Sequence, residues 1–321
     1  MIVSIFHSDL KMARFLPPLD IGPRMARLAN RMPVRSPAPP RDMIVSDLKV
    51  PGPPGAPAVD VRMYRPASAT GEIPVLVWMH GGGMILGNHL SEENSNAAFA
   101  RELGIAVVSV NYRLAPQSPA PAAVEDCYAV MEHLVANATE HAIDHERIAL
   151  GGASAGGGLA AATALLAHDR GHIVPTFQLL VYPMLDDRTV LREDIDTTHA
   201  RFWRPKSNRY AWSAYLGAAP GGDTVSDYAA PARRTDLSGL PPAWVGVGTL
   251  DLFHAEDVDY AERLRRAGVA VDLVVVEGAF HGFDVLFKKK PVSRRFWEAQ
   301  RDALGQALFG AAEIRSGHVD A

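Results

Sequence analysis

Short apolar runs alternating with helical patterns constrain this chain more than any other feature. Runs near 43–49, 59–65, 74–79, 105–110, 147–150, 177–182, 243–248 and 271–276 are rich in β-branched residues and read as eight strands. Val75-Leu76-Val77-Trp78-Met79 and Val107-Val108-Ser109-Val110 are almost continuously apolar, as parallel strands covered on both faces must be. Helical patterns fill 93–103, 121–137, 155–169, 256–267 and 294–308, between strands or after the last one. That order predicts an α/β fold with a doubly wound, mostly parallel sheet. One stretch departs from it. Residues 186–226, rich in charge and in the aromatics Phe202, Trp203, Tyr210, Trp212 and Tyr215, are too long for a plain connection and predict a lid or binding loop. At the other end, the scattered prolines of residues 17–58 forbid a long regular element and predict a wrapping segment. Phe6, Leu10, Phe15 and Leu16 ahead of it predict a short amphipathic helix over 4–16.

Composition narrows the function classes. With 321 residues, 48% of them hydrophobic and 21% charged, the chain is globular and long enough for one large core with an appended lid. A formal charge of −4 leaves no electrostatic footprint for nucleic acid or anionic membrane. Cys127 stands alone, so neither an intrachain disulfide nor a cysteine-held zinc is expected, and a reducing compartment fits. The first residues lack a cationic start, and His7, Asp9 and Lys11 interrupt their apolar stretch. No signal peptide is expected, no apolar run approaches the length of a membrane span, and the expected location is the cytoplasm.

Chemistry is written at strand ends. The run at 147–150 leads into Gly152-Ala153-Ser154-Ala155-Gly156 and then a strongly helical segment. A Gly-x-Ser-x-Gly turn between strand and helix strains the backbone at the serine and lifts its hydroxyl out of the sheet, so Ser154 is the candidate nucleophile. Chance alone supplies roughly 0.1 such pentapeptides in a chain of this composition. His80-Gly81-Gly82-Gly83-Met84 follows the third strand directly. Its side-chain-free backbone suits an oxyanion hole made from the N–H groups of Gly82, Gly83 and Ala155. Asp251 and His281 follow the last two strands, on the edge of the sheet where α/β proteins bind ligands. A serine hydroxyl needs a base, and the base needs an orienting carboxylate; Ser154, His281 and Asp251 supply these roles in the chain order Ser, Asp, His.

With HGGGM at 80–84, YRLAP at 112–116, Pro121-Ala122-Ala123 with Asp126, GASAGG at 152–157, YAERLRRAGVAV at 260–271 and EGAFHGF at 277–283, the chain resembles the hormone-sensitive-lipase-like branch of the α/β-hydrolase carboxylesterases over about residues 60 to 290. The resemblance implies an α/β-hydrolase fold with an eight-stranded core over 43–185 and 227–321. It also implies a helical cap made from an N-terminal segment, 1–42, and the insertion 186–226. The implied activity is hydrolysis of short-acyl esters, small-molecule substrates, without cofactor or metal. His80, Asp126 and Glu256 take supporting roles by the same resemblance. Met84, Gln117, Ala153 and Ala255 depart from residues common in the family. The same machinery serves amides and lactones, and plant gibberellin receptors use a similar scaffold for binding alone, but without the catalytic His that His281 represents here. The final helix, with Phe296, Trp297, Leu304 and Leu308, offers either a homodimer surface or a face for the core.

Overall fold

A computed structural model of the protein describes residues 5–32 and 40–313, with no side-chain account beyond 310. Eight strands form one sheet: β1 (Met43–Val50), β2 (Val59–Pro66), β3 (Ile73–Met79), β4 (Ala106–Val110), β5 (Ile143–Ala153), β6 (Phe177–Val181), β7 (Ala243–Gly248) and β8 (Val271–Val276). Their order is β1-β2-β4-β3-β5-β6-β7-β8. β2 pairs antiparallel with both β1 and β4, and every other pairing is parallel. The expected mostly parallel, eight-stranded α/β architecture is what forms.

Continuous apolarity in the strands has a simple cause. Val75, Val77 and Met79 of β3 enter one core, and Leu76 and Trp78 enter the core on the opposite face. The first core is closed by α3 (Ala122–Ala136), α5 (Ala155–Arg170) and α7 (His254–Arg266), and the second by α2 (Glu93–Leu103) and α9 (Pro291–Glu313). α5 is the central helix, buried continuously from Ala155 to Ala167, and its Gly and Ala residues let it lie close on the sheet. In α9, Phe296, Leu304 and Leu308 pack into the second core. No helix among the described residues is long and apolar enough to cross a membrane.

Several local readings change. The 4–16 helix is a 3₁₀ helix, Ser8–Phe15, in which Leu10 and Ala13 are buried and Phe15 faces solvent. It stops there because Leu16 precedes Pro17 and is driven into extended backbone. The proline-rich segment carries a nine-residue helix, α1 (Pro23–Arg31), started by Pro23 in its first turn, where the missing N–H costs nothing. Pro33, Pro37 and Pro39 of that segment lie outside the described residues. β5 begins at Ile143, ahead of the expected 147, because Ile143 pairs with Ile73 beyond an irregularity and the polar residues between mask the strand. Two short helices, α4 (Ala138–His141) and α8 (Phe283–Leu286), carry no periodic signal of their own.

The long β6–β7 connection contains α6 (Pro205–Leu216) and is tied at its base. Ala232 N–H donates to Leu185 C=O at 3.2 Å. Asp187, fully buried, accepts from Arg233 Nε at 2.6 Å and from Gly221 N–H at 2.5 Å. The N-terminal segment is bonded to the same connection: Arg201 donates to Ala13 C=O at 3.2 Å, Arg204 to Asp20 at 3.0 Å, and Ile21 N–H to Ser207 Oγ at 2.8 Å. Removing the guanidinium strands the Asp187 charge. Arg233→Met is therefore expected to lower the unfolding free energy by about 3–5 kcal/mol, read from urea denaturation.

Candidate active site

The elbow at Ser154 is built by close backbone approach. Ser154 has φ 58°, the left-handed region a side chain rarely occupies, and it sits between the last residue of β5 and the first of α5. Its N–H donates to Val181 C=O at 2.8 Å, and its own carbonyl accepts from Gly158 N–H and Met184 N–H at 3.0 and 2.9 Å. A Cβ on Gly156 would lie 1.9 Å from Met79 O, and one on Gly152 would lie 2.4 Å from the Gly156 carbonyl. Both flanking glycines are thus required by space, with α5 pressed against the end of β3.

Beyond Met79 the chain turns through His80-Gly81-Gly82-Gly83, and the carbonyls of this loop are held from behind. His80 Nδ1 lies 2.7 Å from Gly81 O, an acceptor only, so Nδ1 carries the proton. Burial pushes the His80 pKa down to about 4, and the ring stays neutral, stacked on Tyr112 at 4.2 Å. Gly82 O accepts from the N–H groups of Ile85 and Leu86, each at 3.1 Å. In a trans peptide the N–H points opposite the C=O, so these bonds turn the N–H of Gly82 and of Gly83 to the other side. Neither N–H finds an acceptor among the described residues. The N–H of Ala155, in the first turn of α5, is one of the four a helix leaves unpaired.

Asp251 and His281 enter from the ends of β7 and β8, joined by a bond from Leu250 N–H to Ala279 O at 2.8 Å. His281 Nε2 stands 2.9 Å from Ser154 Oγ, and His281 Nδ1 stands 2.8 Å from Asp251 Oδ2. Asp251 Oδ1 accepts from Phe253 N–H at 3.0 Å, which fixes the carboxylate plane. All three residues are buried, and aromatic rings collar the imidazole. Tyr182 is edge-on at 4.7 Å, Phe253 edge-on at 5.2 Å, and Trp203 and Phe202 lie at 6.4 and 6.5 Å. A Cβ on Gly83 would fall 2.3 Å from the Trp203 indole, so the β6–β7 connection closes directly onto the glycine loop.

Of the residues expected at the site, Ser154, Asp251, His281, Gly82, Gly83 and Ala155 come together, and His80 stands behind the glycine loop. Asp126 and Glu256 are elsewhere. Asp126 accepts from Arg113 N–H at 2.9 Å and from its guanidinium at 2.7 Å, bracing the turn after β4. Glu256, reaching up from α7, accepts from the N–H groups of Leu185 and Asp186 at 2.7 and 3.1 Å and from the Thr189 hydroxyl. It holds the start of the β6–β7 connection, with burial raising its pKa well above the usual carboxylate range. Glu92, Tyr182 and Asp284 also border the site and escaped the sequence reading. Tyr182 donates to Asp284 Oδ1 at 3.0 Å and Glu92 bonds the glycine loop. No local spacing links these partners.

A family model described as the alpha/beta hydrolase fold matches residues 76–285. This chain belongs to the α/β-hydrolases, in their hormone-sensitive-lipase-like branch. Over 274 residues the hydrolase is 36% identical to the carboxylic ester hydrolase LipN of Mycobacterium tuberculosis, spanning 78% of this chain and 67% of that one. It is 33% identical to an ethyl acetate hydrolase of Pseudomonas putida over 237 residues, 70% of each chain. Among solved structures, a bacterial heroin esterase matches with a TM-score of 0.85 at 37% identity, over 95% of this chain and 98% of that one. In this α/β-hydrolase the elbow tolerates no side chain at Gly156. Gly156→Ala is expected to lower the unfolding free energy by about 3 kcal/mol through overpacking against Met79, measured by urea denaturation.

Proposed function

We propose that the chain hydrolyses short-acyl carboxylic esters through an acyl-enzyme on Ser154. Its class, carboxylic ester hydrolase, rests on the family and on relatives covering most of the chain. The observation that carries the mechanism is the unbroken relay from Ser154 Oγ through His281 to Asp251, at 2.9 and 2.8 Å.

Ser154 Oγ attacks the ester carbonyl carbon as His281 Nε2 takes its proton. The imidazolium is stabilised by Asp251, which also holds Nδ1 protonated and the ring in one tautomer. Negative charge gathers on the former carbonyl oxygen, where the N–H groups of Gly82, Gly83 and Ala155 receive it in a site that excludes bulk water. Collapse of this intermediate expels the alkoxide, which leaves with the proton from His281. A water molecule, deprotonated by His281, then attacks the acyl-enzyme and regenerates Ser154.

Residues 1–42 and 186–226 act in this reading as a cap. Its support is the bonding of Ala13, Asp20 and Ile21 to Arg201, Arg204 and Ser207 across the two segments. The short-acyl preference follows from the cap: Trp203 against Gly83 and Phe202 against Gly282 narrow the space beside His281. The similarity to an ethyl acetate hydrolase points the same way.

Hydrolysis of p-nitrophenyl acetate through decanoate, paired with organophosphate labelling and mass spectrometry, tests both statements. Ser154→Ala is expected to lower kcat by at least about 10⁴-fold and to abolish the label at unchanged fold. Near-wild-type turnover in that variant overturns the nucleophile. A decanoate rate above the butanoate rate overturns the chain-length reading.

A further inference from the structure

We propose that Glu92 is a positioning residue of the oxyanion hole, its carboxylate gripping the Gly81 N–H and so fixing the peptide planes that aim the N–H groups of Gly82 and Gly83. The inference rests on the acyl-enzyme reading above and assigns that site a residue outside its triad and glycine motif.

Glu92 stands at the N-cap of α2, yet it makes no capping bond there. Its side chain turns inward. Oε1 accepts from Gly81 N–H at 2.9 Å and Oε2 from the Trp78 indole N–H at 2.5 Å. The peptide between His80 and Gly81 is then held at both ends, since Tyr112 OH donates to His80 C=O at 2.7 Å. The next peptide is held by His80 Nδ1 on Gly81 O, and the one after by Ile85 and Leu86 on Gly82 O. Glu92 is therefore the first grip in a series of three consecutive peptide planes, and the last two carry the free donors. It is also near the chemistry: a Cβ on Gly81 would meet Glu92 Oε1 at 3.4 Å on one side and Ser154 Cβ at 3.7 Å on the other.

The grip depends on charge. A carboxylate offers both oxygens as acceptors, whereas a carboxylic acid turns one into a hydroxyl and leaves a single carbonyl oxygen as strong acceptor for the two N–H donors of Gly81 and Trp78. Burial first, and then the nearby Asp284 carboxylate, push the Glu92 pKa up to about 7, against the lowering effect of its two bonds. The charged, gripping form thus predominates above neutrality and is lost as the pH falls through about 7. Proton access is provided by a cavity of about 340 Å³ lined by Glu92, Asp284, Lys288, Ser293, Arg294 and Trp297. These residues from α8, the turn after it and α9 are the groups facing Glu92 from that side. Trp78 faces it from β3, the Tyr112 and Tyr182 hydroxyls lie within reach of its charge, and the neighbouring Glu93 is paired with Arg62 at 2.9 Å.

The test is steady-state hydrolysis of p-nitrophenyl acetate by the full chain between pH 5 and 9, for wild type, Glu92→Gln, Trp78→Phe and Ser154→Ala. Glu92→Gln keeps the shape and removes the ionisation. It is expected to lower kcat about 10- to 100-fold with KM unchanged, a loss below that of deleting an oxyanion donor outright. The acid limb of log kcat/KM should lose the Glu92 ionisation near pH 7 and become shallower than in wild type. Trp78→Phe removes one donor from the carboxylate and should move that ionisation to higher pH, which keeps the proposal testable if Glu92→Gln folds poorly. Wild-type or higher kcat in Glu92→Gln, with the wild-type acid limb retained, overturns the role of Glu92 while Ser154→Ala remains inactive. Activity persisting in Ser154→Ala overturns the acyl-enzyme reading and this role with it.

Discussion

A backbone contact holds this site together: the first turn of α5 lies against the end of β3, with Gly156 where a Cβ would stand 1.9 Å from Met79 O. β3 runs straight into the glycine loop and α5 starts one residue after Ser154, so this contact sets the distance between the Ser154 hydroxyl and the unpaired N–H groups of Gly82 and Gly83. Any side chain between the two would part them. The strained backbone of Ser154, with φ 58° and ψ −119° in a sparsely populated region that costs about 1–3 kcal/mol, is held in place because its N–H and C=O are bonded on three sides.

Around that contact the molecule repeats one device, a buried carboxylate met by several donors. Asp251 takes Phe253 N–H and faces His281; Asp187 takes Arg233 and Gly221; Glu256 takes two main-chain N–H groups and Thr189; Glu92 takes Gly81 and Trp78. Asp251, Asp187 and Glu256 bind together segments 30, 46 and 71 residues apart, and Glu92 ties the start of α2 back to the end of β3 and the glycine loop. Burying a charge is costly unless donors surround it, so each carboxylate specifies one arrangement of those segments over its competitors. Asp257 is the exception: both oxygens are buried without a partner among the described residues, and burial raises its pKa well above the usual carboxylate range.

Strands were the most legible part of the chain because both faces of the sheet are covered, and β3, β4, β6 and β7 are buried almost throughout, with Ser109 and Gln178 among a mostly apolar set. The helices of the two outer layers were legible from their periodicity. Short elements were not. α1, α4 and α8 are too brief to repeat a pattern, and the 3₁₀ helix at Ser8–Phe15 is stabilised by burial of Leu10 and Ala13 in a core supplied by distant residues. The start of β5 was hidden because Asp144, His145, Glu146 and Arg147 separate the buried Ile143 from the apolar run that follows.

The site divides along the same line. Ser154, His281, Asp251 and the glycines each sit in a strand-end turn whose local pattern is complete in a few residues, and so the chain itself announced them and their order. The sequence also determined that Gly152 and Gly156 flank the serine, because no other residue lacks a Cβ. Tertiary structure alone decided that Nε2 of His281 would reach Ser154 Oγ, that Trp203 would close on Gly83, and that Glu92 would turn inward to Gly81 in place of capping α2. The reason is one of range: a motif records the backbone conformation that neighbouring residues impose, whereas a contact between side chains of different elements exists only once folding has brought those elements side by side.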